Sequence, residues 1–450
     1  MPKKFFGTDG IRGVANTSPM TAEMAVMLGR AIGWVSRNQN HGHARVLIGK
    51  DTRLSSDMLE MALASGLCSV GIDAVLAGHL PTPGVAFLTR NMRCVAGVVV
   101  SASHNPFGDN GIKFFSSSGY KLSNDVEIQI EKLLESQPGL FEAPTGAKVG
   151  KTISLNDSVG RYVVFLKSCI PSELSFDDFK IVIDCANGAA YQAAPLVFQE
   201  LGADVKTIAK TPDGTNINDE CGSLHPEKLC GIVKDWNADL GVALDGDADR
   251  AIFSDENGNV VDGDKIMGLI AKYLSERGEL KKNTLVSTVM SNMGLEVAMR
   301  SIGVKLLRTQ VGDKFVVEKM LEEGLNFGGE QSGHLIFLDH NTSGDGILSA
   351  LQVLRVIKQT GKKLSELASL VDKFPQVLEN VEVTCRKDIE SVPQIKKVMD
   401  ECRVGLGASG RILVRYSGTQ PLCRIMAEGE NEQKVKWAVD LVKEAITRHL

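Results

Sequence analysis

Apolar and polar positions along the chain repeat one arrangement three times: a short apolar strand, an amphipathic helix, a glycine and a second strand. The copies span residues 45–77, 180–208 and 284–308. The glycine directly follows the helix, where a residue without a Cβ adopts the left-handed conformation most easily. These glycines are Gly71, Gly202 and Gly303. Such units favour a right-handed crossover and a mixed or mostly parallel sheet, so the pattern predicts three related α/β units.

The same periodicity gives bounds for individual elements. In the three copies we predict strands at 45–51, 72–77, 180–184, 203–208, 284–288 and 304–308 and helices at 56–70, 190–201 and 295–302. The C-terminal residues differ, with strands predicted at 377–384 and 411–415 and helices at 393–401 and 432–448. The sequence therefore predicts three similar mixed α/β domains, at 1–155, 156–254 and 255–373, plus a smaller C-terminal α+β domain at 374–450.

Composition fits this organisation and excludes some functions. A chain of 450 residues is too long for one core, and its 43% apolar and 23% charged content is ordinary for globular domains. The net charge of −5 provides no general basic field, so we expect neither a nucleic-acid partner nor a membrane partner. Nine scattered cysteines without a Cys-x-x-Cys pair are typical of reduced thiols in a cytoplasmic protein.

The strongest chemical motif is Asp245-Gly-Asp247-Ala-Asp249-Arg250, which follows the apolar run 240–243. Three carboxylates on one tight loop can converge on a hard cation, and a solvated acidic turn is the alternative. An EF-hand is disfavoured because Arg250 stands at the sixth position, where that loop needs glycine, and because the flanks read as strands. We expect Mg²⁺ rather than Ca²⁺, since few protein carboxylates leave coordination positions for a phosphate oxygen.

A second motif, Ser101-Ala-Ser103-His104-Asn105-Pro, follows the apolar stretch 94–100. It combines a hydroxyl at a strand end with an adjacent imidazole that could carry a proton. A plain turn is the alternative, because no Gly-x-Ser-x-Gly elbow is present.

Two glycine-flanked loops suit hydroxyls and anions. The first, Gly329-Glu330-Gln-Ser332-Gly-His334, offers a carboxylate, a hydroxyl and an imidazole to a sugar, or it is a hairpin turn. The second has the form of a phosphate nest, because guanidinium groups and convergent N–H groups match phosphate oxygens; a charged turn is the alternative. Its polar residues are Arg415, Ser417, Thr419, Gln420 and, beyond the loop, Arg424. Together the four loops suggest phosphoryl transfer on a sugar phosphate.

These motifs, in this order and after the N-terminal Phe6-Gly-Thr-Asp-Gly-Ile-Arg12-Gly, resemble the α-D-phosphohexomutase superfamily over essentially the whole chain. Segments 212–218 and 221–226 are similar to its glucosamine branch rather than its mannose/glucose branch. The resemblance implies three similar α/β domains and a smaller fourth domain around a central active-site cleft.

The resemblance also implies a role for each matching residue. Ser103 is expected to be phosphorylated, and its phosphate and three aspartates are expected to hold one Mg²⁺. Those aspartates are Asp245, Asp247 and Asp249. The side chains expected around the phosphoserine are Arg12, His104 and Lys113, with Arg250 beside the metal loop. Sugar hydroxyls are expected to contact Glu330, Ser332 and His334. The substrate's distal phosphate is expected to be bound by Arg415, Ser417, Thr419 and Arg424.

The implied activity interconverts glucosamine 6-phosphate and glucosamine 1-phosphate through a bound 1,6-bisphosphate and feeds UDP-N-acetylglucosamine synthesis. Either Lys113 or His104 is the expected base. Gln420 departs from the family's usual glutamate, which puts local hydrogen bonds of that loop in question. The alternatives are a phosphomannomutase/phosphoglucomutase of the same superfamily, a sugar-phosphate-binding regulator and a metal-dependent phosphatase. A homodimer is compatible with the resemblance.

Overall fold

The computed structural model describes residues 3–37, 44–135, 144–383, 385, 387–407, 409–416 and 422–450. The chain forms two compact units. The first comprises residues 1–289 and 307–368, and the second comprises residues 290–306 and 369–450. Among the described residues, no helix combines the length and the apolar character needed to cross a membrane.

Helices and strands alternate along most of the chain. The helices are α1 (Ala22–Arg37), α2 (Leu54–Ser69), α3 (Thr82–Asn91), α4 (Asn124–Glu135), α5 (Ser158–Ser168), α6 (Ala193–Glu200), α7 (Glu227–Trp236), α8 (Gly263–Glu276), α9 (Met293–Ser301), α10 (Asp313–Glu323), α11 (Gly346–Thr360), α12 (Leu364–Ala368), α13 (Pro393–Leu406) and α14 (Glu432–His449). The strands are β1 (Ile11–Val14), β2 (Arg45–Lys50), β3 (Asp73–His79), β4 (Ala96–Val100), β5 (Asp109–Ser116), β6 (Thr152–Ser154), β7 (Lys180–Asp184), β8 (Asp204–Ile208), β9 (Leu240–Leu244), β10 (Ala251–Ser254), β11 (Val260–Val261), β12 (Thr284–Thr288), β13 (Lys305–Thr309), β14 (Phe327–Gly329), β15 (Leu335–Phe337), β16 (Gln376–Glu382), β17 (Arg411–Tyr416) and β18 (Leu422–Glu428).

Three sheets share one strand order. They contain the series β5-β4-β2-β3, β10-β9-β7-β8 and β15-β14-β12-β13, to which the first sheet adds β1 and β6 and the second adds β11. In the first two sheets, the strands joined by the repeated helix pair in parallel, as β2 with β3 and β7 with β8. At the other end of each series, β5, β10 and β15 are antiparallel to their neighbours β4, β9 and β14. The predicted three mixed α/β units are confirmed.

The capping glycines adopt the predicted backbone conformation, with φ values of +81° at Gly71, +95° at Gly202 and +72° at Gly303. The helix predicted from residue 190 begins later, at Ala193. Residues 188–191 form a turn instead, in which the Tyr191 N–H donates to Gly188 O at 3.2 Å and the Ala189 N–H donates to Gly246 O, in another loop, at 2.8 Å.

The second unit is the smaller α+β part. Its strands form one antiparallel sheet in the order β16-β18-β17, and α13 and α14 cover a core that includes Ile395, Ile425 and Val439. Strand β18 was not predicted from the sequence, and α13 extends beyond the predicted residue 401 to Leu406. This architecture confirms the α+β character of the tail.

Candidate active site

Three of the four loops with candidate chemistry occupy equivalent positions in the repeated sheets. They directly follow β4, β9 and β14, and they lead into the antiparallel strands β5, β10 and β15. In α/β sheets, ligands bind beyond the carboxyl ends of parallel strands. One cavity of about 410 Å³ is lined by residues of all three loops, His104, Asp249 and Glu330 among them. Equivalent strand ends therefore bring distant motifs to one place.

Ser103 is held in a strained position at the end of β4. It is 1% exposed and has a left-handed backbone, with φ +55°, which is uncommon for a residue with a side chain. Its hydroxyl donates to Asp245 Oδ2 and lies 3.4 Å from His104 Nδ1. The hydroxyl of the serine loop thus contacts a carboxylate of the acidic loop, 142 residues away in sequence.

The acidic loop forms a cluster suited to a metal ion. One oxygen from each of Asp245, Asp247 and Asp249 lies within 4.8 Å of the others, and all three residues are buried. Asp247 Oδ1 and Asp249 Oδ1 are buried without a hydrogen-bond partner in the described part of the chain. Hard carboxylate oxygens of this kind fit Mg²⁺. The loop joins antiparallel strands β9 and β10, so the EF-hand alternative is excluded.

Lys113, on β5, neutralises part of this cluster. Its Nζ lies 2.7 Å from Asp247, 3.2 Å from Asp249 and 3.0 Å from Asp9. Burial alone would lower the pKa of Lys113, but these three carboxylates raise it well above its ordinary value. Burial likewise would raise the pKa of Asp249, which Lys113 and neighbouring cations hold well below its ordinary value. Asp245 is the exception, because burial and its two neighbouring aspartates raise its pKa.

Two arginine side chains supply positive charge around Ser103, and the imidazole of His104 lies beside them. Arg12, on β1, pairs with Asp9 and donates to Ala102 O at 3.2 Å. Arg250 lines the cavity, and its buried Nε has no hydrogen-bond partner among the described residues. Burial together with Arg250 and Arg12 lowers the pKa of His104 to about 4. The cavity therefore combines fixed cations with a neutral imidazole.

The third loop contributes two of its three predicted residues to the cavity. Glu330 accepts from the Gly312 N–H at 3.0 Å, and His334 lies 3.6 Å from Asp249. Burial would lower the pKa of His334, but the carboxylates of Asp249, Asp313 and Glu330 raise it to about 9. Ser332 is exposed and is not among the residues lining the cavity.

The predicted phosphate loop belongs to the second unit. Strands β17 and β18 pair Arg415 with Arg424, so two guanidinium groups are neighbours on one sheet. Burial and the adjacent Arg424 lower the pKa of Arg415, and Arg424 Nε is buried without a partner in the described residues. Ser417, Thr419 and Gln420 lie outside the described residues.

Comparison with known proteins agrees with this arrangement. Four models named for phosphoglucomutase/phosphomannomutase match in order: alpha/beta/alpha domain I at residues 3–138, domain II at 160–258, domain III at 262–374, and the C-terminal domain at 378–445. The chain belongs to the α-D-phosphohexomutase superfamily. The predicted domain boundaries remain predictions.

Within this superfamily, the chain is similar over its full length to phosphoglucosamine mutases. The phosphoglucosamine mutase of Citrifermentans bemidjiense is 57% identical over 440 residues, covering 98% of this chain and 97% of the relative. A phosphoglucomutase/phosphomannomutase family protein from Burkholderia thailandensis has the same fold, with a TM-score of 0.80, 24% identity and coverage of 98% and 97%. Aspergillus fumigatus N-acetylphosphoglucosamine mutase, solved with GlcNAc-6P and magnesium, has a TM-score of 0.67, 17% identity and coverage of 98% and 96%.

Two charged residues that line the phosphohexomutase cavity, Asp9 and Asp313, and the Lys121 that pairs with both were not predicted as site residues. Asp9 lies in the N-terminal motif but had no assigned role, and it accepts from Lys121, which also lies 2.6 Å from Asp313. Burial would raise the pKa of Asp9, but Lys113, Lys121 and Arg12 hold it well below its ordinary value. The proximity of Asp9 to Arg12 in sequence was the available signal, whereas isolated Lys121 and Asp313 carried none.

Proposed function

We propose that this phosphohexomutase interconverts glucosamine 6-phosphate and glucosamine 1-phosphate by way of a phosphorylated Ser103 and a 1,6-bisphosphate. The observation that carries the proposal is the contact of the Ser103 hydroxyl with Asp245 of the acidic cluster, beside a cavity whose lining includes Arg12 and Arg250. The full-length similarity to phosphoglucosamine mutases supports the choice of sugar. The product would supply UDP-N-acetylglucosamine synthesis.

Mg²⁺ is the proposed metal. The unpartnered oxygens of Asp247 and Asp249 and the adjacent Asp245 are the donors that would hold it, together with the phosphate on Ser103. When bound, the ion would stabilise negative charge on the transferring phosphoryl group. Magnesium in the related fungal mutase supports this assignment.

The proposed reaction consists of two phosphoryl transfers in opposite directions. In the first, O1 of glucosamine 6-phosphate bonds to phosphorus, the bond from phosphorus to Ser103 Oγ breaks, O1 gives up its proton, and Oγ is reprotonated. After the bisphosphate reverses its orientation, Ser103 Oγ gives up its proton and bonds to phosphorus of the 6-phosphate, the bond from phosphorus to O6 breaks, and O6 takes up the proton. Either His104 or Lys113 would carry the proton, and the neutral imidazole of His104 is the better acceptor, because the surrounding carboxylates keep Lys113 protonated. Arg12 and Arg250 would balance charge on the transferring oxygens.

The sugar is recognised, in this proposal, by Glu330 and His334, which line the cavity, and by the exposed Ser332, and the carboxylate of Glu330 suits an ammonium group. We expect kcat/KM for glucosamine 6-phosphate to exceed that for glucose and mannose 6-phosphates by about 10–100-fold, since a charged hydrogen bond contributes about 1.5–3 kcal/mol. Steady-state isomerisation assays with the three sugars measure this ratio.

The same assays separate the alternatives. A preference for an unaminated sugar would make the enzyme a phosphomannomutase/phosphoglucomutase. Tight binding of a sugar phosphate without isomerisation would indicate a regulator. Continuous release of inorganic phosphate would indicate a phosphatase.

Arg415 and Arg424, with Ser417 and Thr419, are proposed to bind the distal phosphate. Arg415→Lys keeps the charge and removes the planar two-donor geometry, so we expect KM for glucosamine 6-phosphate to rise about 10–100-fold with a smaller change in kcat. The distal phosphate is bound in both the ground state and the transition state, so weakening this contact raises KM more than it lowers kcat. Arg403→Lys, at an exposed pair with Asp400 on α13, is the matched control. An unchanged KM in Arg415→Lys would contradict the proposed role of Arg415 in binding the distal phosphate.

Location and assembly are also proposals. All nine cysteines are free, which is compatible with a cytoplasmic enzyme. A homodimer remains a prediction.

A further inference from the structure

The segment 212–218, which in sequence resembles the glucosamine branch, lies against the loop that contains Ser103. Asn218 Nδ2 donates to Ser103 O at 2.9 Å and to Asn105 O at 3.1 Å. Both donors of one side-chain amide are therefore spent on the backbone of a loop more than 100 residues earlier in the chain. None of the proposed chemistry uses this contact.

Arg53 binds the same two carbonyl groups from the other side. Its Nη2 donates to Ser103 O at 2.9 Å and to Asn105 O at 2.8 Å. Its Nη1 donates to Asp109 O at 3.1 Å and to Pro106 O. Its Nε donates to Asp51 Oδ2 at 2.8 Å, in an ion pair whose side chains are both fully buried. Every N–H group of this guanidinium therefore donates either to a carbonyl oxygen of the Ser103 loop or to the carboxylate of Asp51.

These contacts converge where the backbone is strained. Ser103 has φ +55°, and its carbonyl faces the metal loop so closely that a Cβ on Gly246 would lie 2.5 Å from Ser103 O. The same Cβ would lie 3.0 Å from Asn218 Nδ2. The amide, the serine carbonyl and the metal loop thus pack at one point, which leaves Ser103 little room to relax.

Asn218 is itself anchored to the second sheet region. Its N–H donates to Ala186 O at 2.9 Å, just beyond β7, and Gly214 O in the same segment accepts from the Leu54 N–H at 2.9 Å. Asn218 has φ +58°, a left-handed conformation that asparagine tolerates better than most residues. Asparagine is therefore suited to this position both by its backbone and by its two-donor amide.

We propose that Asn218 and Arg53 are positioning residues that clamp the backbone of residues 103–109 and keep Ser103 Oγ against Asp245 during phosphoryl transfer. The inference rests on the proposed role of Ser103. Neither residue is among those lining the cavity, so each acts through the serine. Asn218 belongs to the second α/β unit, which also contains the metal loop. Its bond to Ser103 O therefore fixes the position of the nucleophile relative to that loop.

The test is Asn218→Asp, which is nearly isosteric and tolerates the left-handed backbone but turns an anion toward two carbonyl oxygens. We expect kcat to fall about 10–100-fold, the usual effect of removing a group that orients a reacting residue, with KM for glucosamine 6-phosphate within about threefold of wild type. Phosphorylation of Ser103 by glucosamine 1,6-bisphosphate, followed in a single turnover, should slow by the same factor. Asn216→Asp is the matched control, because the side-chain amide of Asn216 donates to Thr211 O within its own loop.

A second variant, Asn218→Gly, keeps the left-handed backbone and removes the amide without adding charge, so it should reduce kcat in the same direction. Wild-type kcat in both variants, a change confined to KM, or a loss proportional to the unfolded fraction measured by circular dichroism would each overturn the inference. The comparison with Ser103→Ala separates the two hypotheses. If that variant turns over normally, the proposed function fails; if it is inactive while both Asn218 variants match wild type, only the clamp fails.

Discussion

Ser103→Ala is expected to lose mutase turnover on the order of 10⁴-fold or more, even with 1,6-bisphosphate supplied. The hydroxyl is the proposed acceptor and donor of the phosphoryl group, and no neighbouring side chain on the described loop can replace its contact with Asp245. The measurement is isomerisation of glucosamine 6-phosphate, together with an intact-mass spectrum after incubation with bisphosphate. Wild type should acquire one phosphoryl group, and the variant none.

The matched control is Ser118→Ala, because this serine of the first domain is exposed and its hydroxyl hydrogen-bonds that of Ser116, two residues earlier, at 2.8 Å. It should retain normal turnover and become phosphorylated like wild type. Near-normal isomerisation in Ser103→Ala would mean that phosphoryl transfer does not pass through this serine, and the proposed mechanism would be wrong.

Asp245→Asn should separate metal binding from folding. The amide can still accept from the Arg250 N–H, which lies 3.1 Å from Asp245 Oδ1, and can donate to the Ser103 hydroxyl. We expect turnover to fall about 10³-fold, since a metal contributes several kcal/mol to such a transition state and each ~1.4 kcal/mol is a factor of ten. Without added metal, the variant should unfold at an equal or higher temperature than wild type, because one of three clustered buried carboxylates has lost its charge.

The measurement is thermal unfolding with EDTA and with saturating Mg²⁺, beside the turnover assay. Magnesium should raise the unfolding temperature of wild type, because a ligand that binds only the folded state stabilises it, and it should raise that of the variant much less. Asp235→Asn, at an exposed position of α7, should behave as wild type. An equal magnesium-dependent shift in Asp245→Asn and wild type would exclude this cluster as the metal site.

The repeated units could be read from sequence because they depend on local interactions. Strands 180–184 and 284–288 have the predicted bounds, and Gly71, Gly202 and Gly303 have the predicted backbone. Periodicity and helix termination act within a few residues of the chain, so a sequence pattern contains the relevant information. Strand β18 and the late start of α6 were missed because both depend partly on distant segments: β18 pairs with β16, and the Ala189 N–H in the turn before α6 donates to Gly246 O.

For the candidate site, the sequence by itself determined which chemical groups are available: a serine beside a histidine, three alternating aspartates, a glycine-flanked glutamate and a pair of arginines. Only the tertiary structure decided that Ser103 meets Asp245, that Lys113 is enclosed by three carboxylates, and that Asn218 and Arg53 grip the same carbonyl groups. The reason is physical. Side-chain type is fixed by the chain, whereas contacts across more than 100 residues, and the burial that shifts a pKa, exist only once equivalent strand ends are brought together by folding.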